Sequence, residues 1–336
     1  MCGEGAPRMG AAPLQPGHKQ PVSNYSSLDQ TTFFRRGEDA SLSQEAMRRI
    51  FLRRVRGFAI FLIVLLACYM PFLSHWVQFG LDSDIFSYIL LIPVISAYLI
   101  WLKRHQIPIK VVHRPGLGLA ACGGGVLLLA GHSLLWMRGW APEMQDHVAL
   151  IATGFVLLLV GGTLLCFGSD ITRFLTFPLA FLGFMIPFPI FLTGWIETFY
   201  QYTSADLSHA LLRMTQTPVF REGLHFQLPG ILLEVARECS GIRSSLVLFI
   251  ASLLAGHLLL ESTWRRWVLT LFVIPLGIFR NAFRILMIAL LCVHVGPHMI
   301  DSPIHHRGGP IFFVLSLIPL FFLLVILKRT DRSRSL

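Results

Sequence analysis

Hydrophobic residues in this chain come in blocks. Eight apolar segments stand at about 57–74, 85–102, 116–136, 148–167, 174–196, 241–260, 268–292 and 311–327, and none contains Asp or Glu. About 20 such residues form a helix long enough to cross a hydrocarbon core roughly 30 Å thick. The pattern predicts an all-α polytopic membrane protein with about eight transmembrane helices. The widest gap between blocks, 197–240, is expected to be an extracytoplasmic loop subdomain. Within it, "WIETFYQYTSADLSHALLRMTQ" has apolar residues at helical spacing and several aromatics, which suits a helix lying on the membrane. "VFREGLHFQLPGILLEV" reads as extended, with Pro229-Gly230 as a turn. Such a hairpin edge either binds an extended tail by strand addition or only caps the bundle, and both readings stay open. So does the role of Glu222, Glu234 and Glu238, which pair with arginines or touch a substrate.

Composition agrees with the pattern. Of 336 residues, 54% are hydrophobic and 14% charged, with a mean hydropathy of +0.65; a soluble chain carries roughly a quarter charged residues. The net charge of +10 would suit nucleic acid, but its distribution points to the membrane instead. With the N-terminus in the cytoplasm, the inner loops and tails hold 20 Lys and Arg against 5 in the outer loops, and all four lysines lie inside. That asymmetry sets the orientation, with both termini cytoplasmic. Residues 1–40, rich in Gly, Pro, Ser and Gln, are expected to be a disordered cytoplasmic tail, and no signal peptide is visible. Residues 41–56 are expected to form a basic juxtamembrane helix, opened by Ser41 and Gln44 as a capping box. Its arginines 48, 49, 53, 54 and 56 would hold it against anionic lipid headgroups. A transmembrane domain then occupies 57–327 and a basic cytoplasmic tail 328–336.

The charge count isolates three arginines, Arg243, Arg280 and Arg284, inside expected spans. An arginine at that depth costs several kcal/mol unless it finds a partner or water, so it marks function. Of the six cysteines none forms a Cys-x-x-Cys pair, so no zinc site or disulfide framework is expected. Four lie in or beside apolar runs as packing residues. Cys239 differs: it stands in "VARECSGIRSS", just outside the sixth span, with Arg243 one helical turn on. Arg284, 18 residues beyond Arg266, lies roughly 27 Å along the seventh span and so near its outer end, with Arg280 one turn deeper. The next outer loop supplies His294, His298, His305 and His306. A thiol at a helix N-terminus beside cations ionises readily, histidine moves the proton and arginine stabilises a thiolate or oxyanion. The chemistry this converges on is acyl transfer through a thioester, with no metal or organic cofactor.

These residues also resemble a known family. "CSGIR" at 239–243, "RNAFRI" at 280–285 and "HHRGG" at 305–309 look like the signature of exosortases and archaeosortases, and the likeness spans roughly 85–327. The resemblance implies Cys239 as nucleophile, Arg284 as the arginine of Asn-x-x-Arg-Ile after Asn281, and His305 as the histidine of His-x-x-x-Gly with Gly309. His306 fits that pattern less well. Arg243, Arg280, Asn281, Ser240 and Gly241 would support the site. The second span departs from many relatives, with Phe86, Ser87, Tyr88 and Ile89 where they have His-Gly, and the N-terminal tail has no counterpart. What the resemblance implies is a protein-sorting transpeptidase for proteins that end in a short motif such as Pro-Glu-Pro, a transmembrane helix and a basic cluster. The cleaved protein would pass to water or to an acceptor, a polysaccharide or a lipid among them. The competing readings are a membrane cysteine protease that only hydrolyses, and a non-enzymatic transporter or assembly protein for exported polymers. A transporter predicts charges on several helices and an internal repeat, and the sequence has neither.

Overall fold

The computed structural model describes residues 25–83, 85–107, 115–236, 241–301 and 309–332. The chain divides into a unit at Met1–Arg56 and a unit at Gly57–Leu336. Helix α1 runs Tyr25–Asp82, so helix covers the later part of the segment expected to be disordered, where only Gly37 and no proline interrupts. Then follow α2 (Ile92–Lys103, after a 3₁₀ turn at Ser87–Leu91), α3 (Pro115–Met137), α4 (Met144–Phe174), α5 (Thr176–Phe181) and α6 (Ile190–Met214). Three short strands come next, and after them α7 (Ile242–Leu259), α8 (Thr263–Leu271), α9 (Val273–His294) and α10 (Gly309–Arg332). Among the described residues seven helices are long and apolar enough to cross a membrane, or eight if one bent pair is a single span. This is an all-α polytopic membrane protein.

The bent pair is where the structure departs from the expected fifth span at 174–196. The chain breaks at residues 186–189 and the two arms meet at 87°. The cause is the sequence Ile-Pro-Phe-Pro: Pro187 and Pro189 have no N–H to continue the ladder. Carbonyls released inside a membrane must find other donors, and side chains supply them. Trp76 Nε1 donates to Met185 O (3.2 Å) and Gln145 Nε2 to Phe188 O (2.6 Å). At the start of α6, Ile190 N donates to Asp146 Oδ1 (2.9 Å). An earlier break, at Gly168 with φ 79°, kinks α4 where a residue with a Cβ would be strained.

Helices α3 and α4 pack backbone to backbone. A Cβ added at Gly161 would lie 2.8 Å from Cys122 N and 3.0 Å from Gly118 O. Small residues permit this approach, which supplies the dispersion that replaces the hydrophobic effect in lipid. At the other end of the chain α10 is tied to the α7–α8 connection. Asp331 pairs with buried Arg265 and accepts Glu261 N (2.8 Å), while Arg265 Nη2 donates to Thr330 O (3.1 Å).

The expected extended segment forms an antiparallel sheet in the order β1 (Phe220–Glu222), β2 (His225–Leu228), β3 (Ile231–Glu234). Leu228 pairs with Ile231, so Pro229-Gly230 is the two-residue turn. Phe226, Leu228, Leu233 and Val235 pack with Leu212 of α6 and with Ile285 and Ala289 of α9. The sheet therefore rests on the second half of α9.

Candidate active site

The segment read as a helix lying on the membrane forms most of α6, and part of its polar face is turned inward. Tyr200, Gln201, Ser204 and Ser208 are buried, whereas Phe191, Trp195, Phe199 and Tyr202 are exposed. Lipid is the apolar solvent here, so polar side chains turn inward to find partners. Ser208 Oγ reaches Ser204 O (2.6 Å) and Ala282 O of α9 (3.2 Å). Gln201 Nε2 donates to Val235 O (2.7 Å), the first residue after β3. Spacing of 200, 201, 204 and 208 at one and two helical turns was the available signal for this seam.

Residues 237–240, and with them Cys239 and Ser240, lie outside the described residues, as do His305 and His306. Both flanks of the 237–240 segment are described and both are held. Upstream, Gln201 fixes Val235. Downstream, Gly241 is the N-cap of α7 in the left-handed conformation, φ 73°, which costs a residue with a Cβ roughly 1–2 kcal/mol. Arg280 Nη2 donates to Gly241 O (2.9 Å) and to Ser245 Oγ (3.1 Å). A Cβ at Gly241 would sit 3.1 Å from Arg280 Nη2 and 3.3 Å from Asn281 Oδ1. The dihedral favours glycine here, and the guanidinium packed against it leaves little room for a Cβ.

The structure thus brings Gly241, Ser245, Arg280 and Asn281 together. Arg280 is 8% and Asn281 2% exposed. Arg284 lies one turn beyond Arg280, half-buried on the same side of α9. Arg243 is exposed on α7, while Ile242 and Ser245 face inward. Arg280 Nη1, Asn281 Nδ2 and Ser204 Oγ are buried without a hydrogen-bond partner among the described residues. Gln201, Ser204, Ser208 and Ser245 are site neighbours that the reading of the sequence did not identify. No three His, Cys, Asp or Glu among the described residues are grouped to hold a metal.

Two arginines stand on adjacent turns of α9, and α7 directs its N-terminal amides toward the segment before Gly241. The positive end of a helix and nearby guanidinium groups favour an anion there. Such a place suits a thiolate, an oxyanion or a carboxylate. A family model described as transmembrane exosortase aligns with residues 76–322, well over half of the chain. No curated protein and no solved structure matches.

Proposed function

This chain belongs to the transmembrane exosortase family, and we propose that it is a protein-sorting cysteine transpeptidase acting at the outer face of a prokaryotic cytoplasmic membrane. What supports the reading is that both flanks of the segment containing Cys239 are tied down, Val235 by Gln201 on one side and Gly241 by Arg280 on the other. A nucleophile needs that fixity, because reacting atoms misplaced by about 1 Å lose roughly 10²-fold in rate.

In the proposed reaction the Cys239 thiolate, favoured by the α7 N-terminus and the α9 arginines, attacks a peptide carbonyl of the substrate. Arg284 stabilises the oxyanion that forms. The C–N bond then breaks, His305 delivers a proton to the leaving amine, and the apolar helix with its basic end departs. The thioester left on Cys239 is opened by an acceptor nucleophile or by water, which restores the thiolate. The substrate's basic end lies in the cytoplasm, so its motif reaches the outer face, the side assigned here to Cys239. Strand β3 leads directly into residues 237–240, so a tail added along that edge would be delivered to the nucleophile.

The test uses a reporter protein ending in Pro-Glu-Pro, an apolar helix of about 20 residues and a basic cluster. Wild type is expected to shorten it, and Cys239→Ala, inserted to the same level, to leave it intact. Processing by Cys239→Ala ends the reading and returns the transporter or assembly role to the front. The intact mass of the wild-type product separates transfer from hydrolysis.

A further inference from the structure

Hydroxyl side chains inside the helices of this chain share a habit. Thr153, Thr163, Thr172, Thr203 and Ser208 each donate to the carbonyl four residues back, at 2.7, 2.8, 2.7, 2.5 and 2.6 Å. That carbonyl is the nearest acceptor a hydroxyl meets in a helix. Ser245, buried on α7, departs from the habit. Its carbonyl four residues back is Gly241 O, which already receives Ser245 N (3.1 Å), Ser244 Oγ (3.1 Å) and Arg280 Nη2 (2.9 Å). Ser245 Oγ is instead turned across the bundle, where it accepts from Arg280 Nη2 (3.1 Å). A guanidinium has only donors, so the proton of Ser245 is left for another oxygen. That oxygen is the hydroxyl of Tyr200 on α6, which is hydrogen-bonded to Ser245.

Gly277 of α9 makes this meeting possible. A Cβ there would sit 2.6 Å from Ser245 Oγ and 3.1 Å from Tyr200 Cε1, so hydroxyl and ring close over bare backbone. Tyr200 is 7% exposed, and its ring meets that of Phe199 edge to face, centroids 5.7 Å apart. A buried phenol needs a partner for its oxygen, and Ser245 is that partner. One chain of bonds thus crosses three helices. It runs from Tyr200 on α6 through Ser245 on α7 and Arg280 on α9 to Gly241, which directly follows residues 237–240.

We propose that Tyr200 is a positioning residue for the nucleophile, acting through Ser245 and Arg280. By accepting the Ser245 hydrogen bond, it keeps the serine oxygen toward Arg280 and away from Gly241 O. Arg280 is then held between two acceptors, with its shared nitrogen fixed on the residue two places after Cys239. Without the phenol oxygen, Ser245 falls back on the helical habit and turns to Gly241 O. That turn withdraws one acceptor from Arg280 and competes with it for the other. The inference rests on the sorting reading and adds to it a residue that touches no reacting atom.

The experiment compares wild type, Tyr200→Phe, Ser245→Ala and the double variant, each as the full chain with the reporter described above, and measures KM and kcat per folded molecule. Tyr200→Phe keeps the ring and removes one oxygen. It is expected to lower kcat about tenfold, with KM and the thermal midpoint nearly kept. Ser245→Ala is expected to lower kcat at least as far, and Tyr200→Phe to add almost nothing to it, because the phenol acts only through the serine. As a control, Tyr69→Phe removes a buried hydroxyl that has no partner among the described residues, in the contact with Phe155 of α4; it is expected to match wild type. Unchanged kcat in Tyr200→Phe, or losses that multiply in the double variant, overturns the proposal and leaves the sorting reading standing. Less folded protein with full kcat per molecule overturns it as well, since that is packing and not positioning. A reporter that wild type never processes removes both.

Discussion

The side-chain amide of Gln201, buried on α6, gives an N–H to the carbonyl of Val235 at 2.7 Å. In water this bond would be worth about 1 kcal/mol net, but a buried carbonyl left bare costs about 1–3 kcal/mol. Gln201 is a positioning residue: it acts through Val235 on the chain that follows. Gln201→Leu preserves bulk and removes the donor. The expected outcome is a fall in kcat of about tenfold or more, equal to some 1.4 kcal/mol, with KM and membrane insertion close to wild type. A merely structural role would lower the amount of folded protein and leave kcat per folded molecule unchanged. Gln201→Glu, which keeps the shape and loses the N–H while ionised, should resemble Leu and not wild type. Measuring kcat and KM for both variants against the quantity of folded enzyme decides the point.

At the scale of elements, every hydrophobic block but the fifth falls on a helix long and apolar enough to cross a membrane, because a run without charge has few other uses at that length. They did not locate the break at Pro187 and Pro189, since both prolines sit among apolar residues that read as one continuous block. Nor did they orient α6. An amphipathic helix has the same periodicity whether its polar face meets water or a protein interior, and the buried partners of Gln201 and Ser208 come from β3 and α9, far along the chain. At the site, Arg280 and Arg284 were legible as charges within apolar runs, while Ser245 was not, because serine is unremarkable at a helix start. The α10 attachment was equally hidden: Arg265 read as an inner-loop charge, yet it is 5% exposed and paired with Asp331, 66 residues on. This attachment fixes the helix that follows His305 in the chain. Asp331→Ala removes the acceptor for Arg265 and for the amides of Glu261 and Ser262 together, leaving a buried cation unpaired. Asp331→Asn retains an oxygen for the amides and loses the charge. Thermal unfolding in detergent is expected to fall in the order wild type, Asn, Ala; equal midpoints for all three would show that the pair contributes nothing.

Across the whole molecule, tryptophans and basic residues mark two levels. Trp101, Trp264 and Trp267 are exposed near Lys103, Arg104, Arg265 and Arg266, at the ends of α2 and α8. Trp136 and Trp140 are exposed at the far end of α3, where Arg138 is the single basic residue of the α3–α4 connection. Indole rings gather at both membrane interfaces, but lysine and arginine gather on the cytoplasmic side. The proposed orientation has the first level at the cytoplasmic side and the second outside. Arg280 bonds the first turn of α7, at the end of that helix away from Arg265 and Arg266, which in the proposed orientation is the outer side. The prediction is directional. In cysteine-depleted chains, Gly139→Cys should react with a membrane-impermeant maleimide in intact spheroplasts, and His105→Cys only after permeabilisation. The reverse pattern would put Gly241 and the α9 arginines at the cytoplasmic face, on the same side as a substrate's basic end and away from its motif. No sorting reaction can work from there, so this labelling tests the proposed function through geometry alone, before any substrate is known.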